Sequence, residues 1–117
     1  MSRRVEKPWG HEEIWAETER YVGKILCIRA GHRLSLQNHE IKDETIRILS
    51  GTMAFELEND EGEMVTHELT AGMAAHIQPH RKHRMEAVTD VEVLEVSTPE
   101  LDDVVRHEDD YGRLGGC

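Results

Sequence analysis

The chain has 117 residues with 38% hydrophobic content, only five aromatic side chains (two Trp, two Tyr and one Phe), and a formal net charge of −10. This length suits one domain with a modest aliphatic core, so we expect residues 1–117 to form a single domain. The acidic balance argues against nucleic acid or an anionic membrane as a partner. The sequence has no long apolar run for a membrane span and no signal peptide core near its start, so we expect a cytoplasmic protein.

Short apolar or alternating segments follow one another along the chain, separated by turn-forming residues. Residues 1–10 predict an extended lead-in, because Pro8 and Gly10 break regular structure. The predicted strands are 10–18, 20–30, 33–39, 44–49, 52–59, 63–69, 75–78, 83–88 and 91–98.

Strands this short, at spacings of eight to twelve residues, predict an all-β sandwich or small barrel. The acidic residues that open the segment 100–106 favour one or two helical turns there. Residues 114–117 are expected to be disordered, as is common at a glycine-rich chain end.

Three polar residues around the third and fourth predicted strands suit a metal site. Gln37 and His39 stand two apart, so on a strand their side chains point to the same face, about 7 Å apart. Glu44 opens the next apolar alternation, which continues with Ile46 and Ile48. A carboxylate on an apolar face costs several kcal/mol unless a cation or hydrogen-bond donors compensate it. A divalent metal bound by all three side chains would supply that compensation.

The stretch from Gly31 to Gly51 resembles the first cupin motif, which is a glycine, five residues, His-x-His, four residues, a glutamate, six residues and a glycine. Gln37 takes the place of the first histidine. The stretch from Gly72 to His83 resembles the second cupin motif, with His80 where that motif has a glycine.

The Gln-x-His form is similar to the cupin domains of mannose-6-phosphate isomerases, including the C-terminal domain of the bifunctional isomerase/mannose-1-phosphate guanylyltransferase. The similarity continues near both ends of the chain, in KPWGHEEIW and DDVVRHEDDYGR.

This resemblance implies a cupin double-stranded β-helix, a jelly-roll-like small barrel, with His83 as a fourth metal ligand beside Gln37, His39 and Glu44. Mixed nitrogen and oxygen ligands are compatible with Zn, Mn, Co, Ni or Fe. The implied function is a metal-dependent sugar-phosphate aldose–ketose isomerase. Two alternatives remain open, which are another metal-dependent cupin enzyme, such as an oxygenase or lyase, and a non-enzymatic sugar- or metabolite-binding module. A homodimer is expected, because exposed sheet edges favour pairing and cupin relatives usually dimerise.

Further residues are candidates for acid/base catalysis or phosphate binding beside the metal. His76 and His80 flank Pro79 just before His83, so either is a candidate acid/base group or simply a loop histidine. Arg33 shares the predicted ligand face by alternation and is the first candidate to hold a phosphate, with Lys24 as a further one.

The C-terminal motif adds candidates by resemblance alone. An arginine near the active site is implicated in catalysis in isomerases of this type, and Arg106 is the candidate for that role here. Tyr111 lies in the same motif and is a candidate for substrate binding. Without the resemblance, this charge-dense run would be interpreted as a solvated tail.

Overall fold

The computed structural model describes residues 2–114, which form two antiparallel β-sheets packed face to face. The strands are β1 Arg3–Lys7, β2 Gly10–Glu17, β3 Val22–Ile28, β4 Leu36–Asn38, β5 Glu44–Ser50, β6 Thr52–Glu58, β7 Met64–Thr70, β8 Ala74–Ile77, β9 His83–Ala87, β10 Val91–Ser97 and β11 Val105–Glu108. The six-stranded sheet has the order β1-β2-β3-β10-β5-β8, and the five-stranded sheet has the order β11-β4-β9-β6-β7. Within this described range, no helix is long and apolar enough to span a membrane.

The all-β prediction is confirmed, and each predicted strand is present with shifted ends. The third predicted strand, 33–39, is shortened to β4, Leu36–Asn38, with an isolated bridge between Arg33 and Glu86 before it. The expected lead-in is a paired strand, since β1 forms a hairpin with β2 in which Lys7 lies opposite Gly10.

The predicted helical turn within 100–106 is wrong. The chain makes a turn at residues 101–102 and then forms β11, which pairs with β4. The open edge of β4 offers backbone hydrogen bonds to this segment, and its adjacent valines, Val104 and Val105, favour extended structure. Leu114 lies within the described residues, and the rest of the predicted disordered tail, residues 115–117, lies outside them.

The space between the two sheets is divided into an apolar part and a charged part. The apolar core consists of Trp9, Leu26, Ile28, Ile46, Ile48, Met53, Phe55, Leu69, Ile77, Met85, Ala87, Val91 and Val93. The same inner face of the six-stranded sheet also carries the buried charged residues Glu12, Lys24, Glu44 and Glu95. A cluster of buried charges beside a dry core is costly to maintain, which marks this part of the interior as the candidate site.

Gly51 fixes the tight connection between β5 and β6. Its φ of +86° is in the left-handed region, and a Cβ there would lie 2.1 Å from the backbone oxygen of Asp90. We expect Gly51→Ala to destabilise the fold by about 2 kcal/mol or more, because backbone strain adds to a clash with main chain. Urea unfolding of both proteins measures this loss.

Gly72→Ala is the matched control for that experiment. Gly72 has a φ of +90°, and a Cβ there would have no neighbouring atom within 4 Å. We expect this control to cost only the backbone strain, about 1 kcal/mol. Equal losses in the two variants would contradict a role for the close approach to Asp90.

Candidate metal centre and cavity

Three buried side chains converge where the two sheets meet. His39 follows β4 directly, while Glu44 and His83 are the first residues of β5 and β9. The Nε2 atoms of His39 and His83 lie 3.5 Å and 3.4 Å from the same carboxylate oxygen, Glu44 Oε1. One ligand atom from each residue falls within 4.8 Å of the others, and none of the three residues is more than 3% exposed.

The protonation of the two imidazoles suits a metal ion. The Nδ1 of His39 lies 2.5 Å from the carbonyl oxygen of Asp103, and the Nδ1 of His83 lies 3.0 Å from that of Arg81. Because a carbonyl oxygen only accepts, each Nδ1–H donates, and the neutral form of each ring has its lone pair on Nε2. Neither buried Nε2 has a hydrogen-bond partner among residues 2–114.

The Nε2 atoms of both imidazoles and a carboxylate oxygen therefore converge on one buried point, an arrangement that a bound cation would stabilise. This donor set fits a divalent metal ion.

Gln37 is held beside this group by strand pairing. It lies on β4 directly opposite His83 on β9, and it lines the same cavity as His39 and Glu44. Its Oε1 accepts a hydrogen bond from the Ser35 hydroxyl at 2.6 Å. The structure thus places all four predicted ligands in one neighbourhood, with three of them converging on one point.

Sequence reasoning missed the buried charges behind Glu44. Lys42 Nζ lies 2.9 Å from Glu44 Oε2 and 3.1 Å from Glu95 Oε2. Burial would lower the pKa of Lys42, but the charges of Glu95 and Glu44 raise it, so the ammonium stays protonated. Burial would raise the pKa of Glu44, yet the imidazoles of His39 and His83 and the Lys42 charge hold it well below its usual range.

A signal for Glu95 was present in the sequence. It continues the inward alternation of Val91 and Val93 on β10, as Glu44 begins the alternation of β5. The interpretation applied to Glu44, that a carboxylate among apolar neighbours needs a partner, holds equally for Glu95.

Gln37, His39 and Glu44 line a cavity of about 450 Å³, which is within the size range of small-molecule sites. Its charged lining residues are Arg3, Lys7, Glu12, Lys24, Lys42, Glu44, Glu95, Asp102, Arg106 and Arg113. Cations outnumber carboxylates on these walls although the whole chain carries a net charge of −10. Two of these cations are paired with carboxylates outside the lining, Arg3 with Glu17 and Arg113 with Asp109, so the excess of positive charge on the walls is small.

Two of the other predicted site residues line this cavity. Lys24 projects from β3, and Arg106 projects from β11, where it pairs in register with Gln37. Tyr111 instead packs against the apolar core, and its hydroxyl lies 2.7 Å from His32 Nδ1.

Arg33, His76 and His80 do not line the cavity in the described chain. The expectation for Arg33 rests on regular alternation through 33–39, whereas β4 begins only at Leu36, and the Arg33 Nε donates to Asp110 at 2.6 Å. His76 is exposed and lies 2.6 Å from Asp43. His80 is also exposed, with a φ of 71° that matches the glycine it replaces in the motif, and its backbone N–H donates to the His39 carbonyl at 2.6 Å.

Asp103 holds the loop between the ligands. Its carboxylate accepts backbone hydrogen bonds from Glu40 at 3.1 Å, Ile41 at 2.8 Å and Lys42 at 2.9 Å. The Lys42 amide is the largest influence lowering the pKa of Asp103, and the Ile41 and Glu40 amides add to it. Asp103 therefore fixes the segment that joins His39 to Glu44, and its carbonyl orients the His39 ring.

Residues 1–109 match the family described as mannose-6-phosphate isomerase C-terminal. The chain belongs to this family. Mannose-1-phosphate guanylyltransferase ManC of Salmonella typhimurium is 31% identical over 117 residues, 97% of this chain and 24% of that protein. Xanthan biosynthesis protein XanB of Xanthomonas campestris is 33% identical over 116 residues, 95% of this chain and 24% of that protein. The chain thus spans about a quarter of the length of these curated relatives.

Solved structures confirm the cupin fold. KdgF from Halomonas aligns with a TM-score of 0.74 and 23% identity, covering 88% of this chain and 91% of that one. An RmlC-like cupin from Shewanella frigidimarina aligns with a TM-score of 0.74 and 14% identity, covering 88% of each chain. At these identities, the likeness concerns the fold alone.

We expect Asp103→Ala to destabilise the protein by about 1–2 kcal/mol and to speed hydrogen exchange at the amides of residues 40–42, because three N–H groups lose their acceptor. The contribution of Asp103 is present above the pKa of its unfolded form and is lost as pH falls through the lower folded value. Hydrogen exchange with mass spectrometry, together with urea unfolding at several pH values, measures both effects.

Asp103→Asn is the control, since it removes the charge but keeps one oxygen acceptor. It should lose less stability than the alanine variant and show less dependence on pH. Unchanged exchange at residues 40–42 in Asp103→Ala would contradict the assigned role.

Proposed function

We propose that this chain is a metal-dependent aldose–ketose isomerase domain acting on a phosphorylated hexose of the mannose 6-phosphate kind. The observation that carries the proposal is the buried convergence of His39, Glu44 and His83 at the end of a cavity rich in cations. Membership of the mannose-6-phosphate isomerase C-terminal family supports the same reaction class.

Gln37, His39, Glu44 and His83 would hold one divalent ion, with Zn, Mn, Co, Ni and Fe all compatible with the donor set. When bound, such an ion polarises the carbonyl oxygen of the sugar, which makes the neighbouring carbon acidic. The buried position of the ligands keeps water away from the reacting end of the substrate.

Arg106 is suited to stabilise the charge that develops during isomerisation. It lines the cavity and lies opposite Gln37 in the β4–β11 pair. Moving a proton between C1 and C2 passes through an enediol, in which negative charge grows on the sugar oxygens. A guanidinium donates hydrogen bonds to such oxygens and does not give up its own proton.

Lys7 is suited to hold the phosphate. It lies on the edge strand β1 and lines the cavity. Among the lining cations, Arg3 is paired with Glu17, and Arg113 is paired with Asp109. Lys7 has no such ion pair with any residue in 2–114, so its charge is available to an anionic group.

The activity test is conversion of mannose 6-phosphate to fructose 6-phosphate by metal-loaded protein. We expect turnover that a chelator removes and a divalent metal restores.

Glu44→Gln should lose the metal, because a neutral amide binds a divalent cation more weakly than a carboxylate does. Arg106→Ala should keep the metal and lower kcat about a hundredfold, as expected for a group that acts mainly on the transition state. Coupled assays and metal analysis of the same samples give both readouts.

Arg33→Ala is the matched control, because Arg33 is also an arginine but lies outside the cavity and is paired with Asp110. Its kinetic constants should stay within about twofold of the wild-type values. Absence of turnover by metal-loaded wild type would reject this substrate and favour an oxygenase, a lyase or a binding module on the same fold. Full activity in Arg106→Ala would remove that residue from the mechanism.

We also propose that the chain forms a homodimer through the outer face of the six-stranded sheet. Trp15, Leu49 and Val96 face outward there and are 44%, 43% and 47% exposed. Large apolar side chains grouped on one sheet face are typical of an interface, and two-fold pairing is the commonest arrangement.

Light scattering of wild type at micromolar concentrations should therefore give the mass of a dimer. Val96→Glu should give a monomer, because it places a charge in the apolar face. Val88→Glu is the control, since Val88 is 57% exposed in the loop after β9 and lies away from that face. A monomeric wild type would contradict the proposal.

A further inference from the structure

Glu12 and Lys24 form a buried ion pair that the proposed metal chemistry does not use. They lie on the adjacent strands β2 and β3, and Lys24 Nζ is 3.3 Å from Glu12 Oε1 and 3.5 Å from Oε2. The side chain of Lys24 is only 9% exposed and that of Glu12 only 10%. Both line the same cavity as the candidate metal ligands.

The hydrogen-bonding capacity of this pair is largely unfilled. An ammonium has three donors and a carboxylate has about four acceptor positions. Within residues 2–114, the charged groups of Glu12 and Lys24 hydrogen-bond only to each other, at long distances. Glu95 lies opposite Lys24 in the β3–β10 register, and the Lys24 charge opposes the rise in the Glu95 pKa that burial causes. Burying charges with few hydrogen-bond partners costs free energy, and replacing such a pair by apolar residues is often neutral or stabilising.

Arg84 is a buried cation with a structural role, and its hydrogen-bond partners differ from those of Lys24. Its Nε donates to the Leu34 carbonyl at 2.9 Å, and its guanidinium lies 3.1 Å from Asp110 and 3.9 Å from Glu108. That network satisfies the group from several sides and does not line the cavity. Lys24 differs on both counts, so its remaining donors are available to a molecule in the cavity.

The pair lies within reach of a sugar that enters the metal centre. In the six-stranded sheet, β3 is separated from β5 by β10 alone, so Lys24 is displaced from Glu44 by two strand spacings across the sheet, roughly 10 Å, and by two residues along it, roughly 7 Å. A hexose that places its carbonyl end at the metal ligands can extend its remaining hydroxyl-bearing carbons toward β3 and β2.

We propose that Glu12 and Lys24 form a hydroxyl-binding subsite, in which Lys24 donates to one sugar oxygen and Glu12 accepts from the hydroxyl on a neighbouring carbon. A donor beside an acceptor matches the paired hydroxyls of a polyhydroxylated carbon chain. The carboxylate of Glu12 would repel a phosphate at this point, so the subsite recognises the sugar rather than its anionic group. The inference rests on the proposed function for the choice of sugar.

The experiment measures binding by calorimetry with zinc-loaded protein and two probes, mannose 6-phosphate and inorganic phosphate. The variants are Glu12→Gln, Lys24→Met and the double variant Glu12→Leu/Lys24→Met. The double variant matters most, since a single change leaves one buried charge without a partner and can unfold the chain, whereas paired apolar replacements keep the fold. We expect the double variant to bind mannose 6-phosphate at least about tenfold more weakly and inorganic phosphate as wild type does.

Two results would overturn the proposed subsite. Unchanged binding of mannose 6-phosphate by the folded double variant would overturn it, because the pair would then be structural. An equal loss of inorganic phosphate would also overturn it, since Lys24 would then belong to an anion site.

If wild type does not bind mannose 6-phosphate, the same comparison is made with D-mannose, D-mannitol and D-gluconate. Binding of one of these that the double variant loses would support the subsite while the isomerase proposal fails. Binding of none of them would overturn the subsite as well.

Discussion

The arrangement of this protein depends on keeping the Glu44 carboxylate ionised in a buried position. One oxygen is paired with Lys42, and the other faces the Nε2 atoms of two imidazoles. The backbone carbonyls of Asp103 and Arg81 accept from Nδ1 of each ring, which directs Nε2 toward that oxygen. A divalent cation at this point would be held by all three side chains, so the protein contains a buried position suited to positive charge.

The division of the interior explains how one small sandwich can support this site. Core residues such as Ile46, Ile48 and Phe55 are almost completely buried and pack between the sheets. The same inner face also carries buried charged side chains where the strands line the cavity, among them Glu12 and Lys24. Binding and core packing therefore use different parts of the same strands, since β3 carries both Lys24 and Leu26, and β5 carries both Glu44 and Ile46.

The sequence predicted the features of the site that depend on local spacing along the chain. Strand alternation placed Glu44 inward, and the motif intervals identified Gln37, His39 and His83, which the structure brings into one neighbourhood. The partners of those residues were not predictable in the same way, because β11 reaches β4 from the far end of the chain. Arg33 shows the limit of alternation, since the argument requires a regular strand and β4 begins three residues later.

The contact between His39 and Asp103 joins residues that are 64 positions apart in the chain. The segment from Gln37 to Glu44 contains three of the four candidate ligands, and its histidine ring and the amides of residues 40–42 are held by Asp103. During synthesis on the ribosome, the early strands therefore emerge with Glu44 and its neighbours unassembled. A metal site at His39, Glu44 and His83 would therefore be assembled only after β9 and Asp103 have been made, so metal binding would depend on tertiary folding.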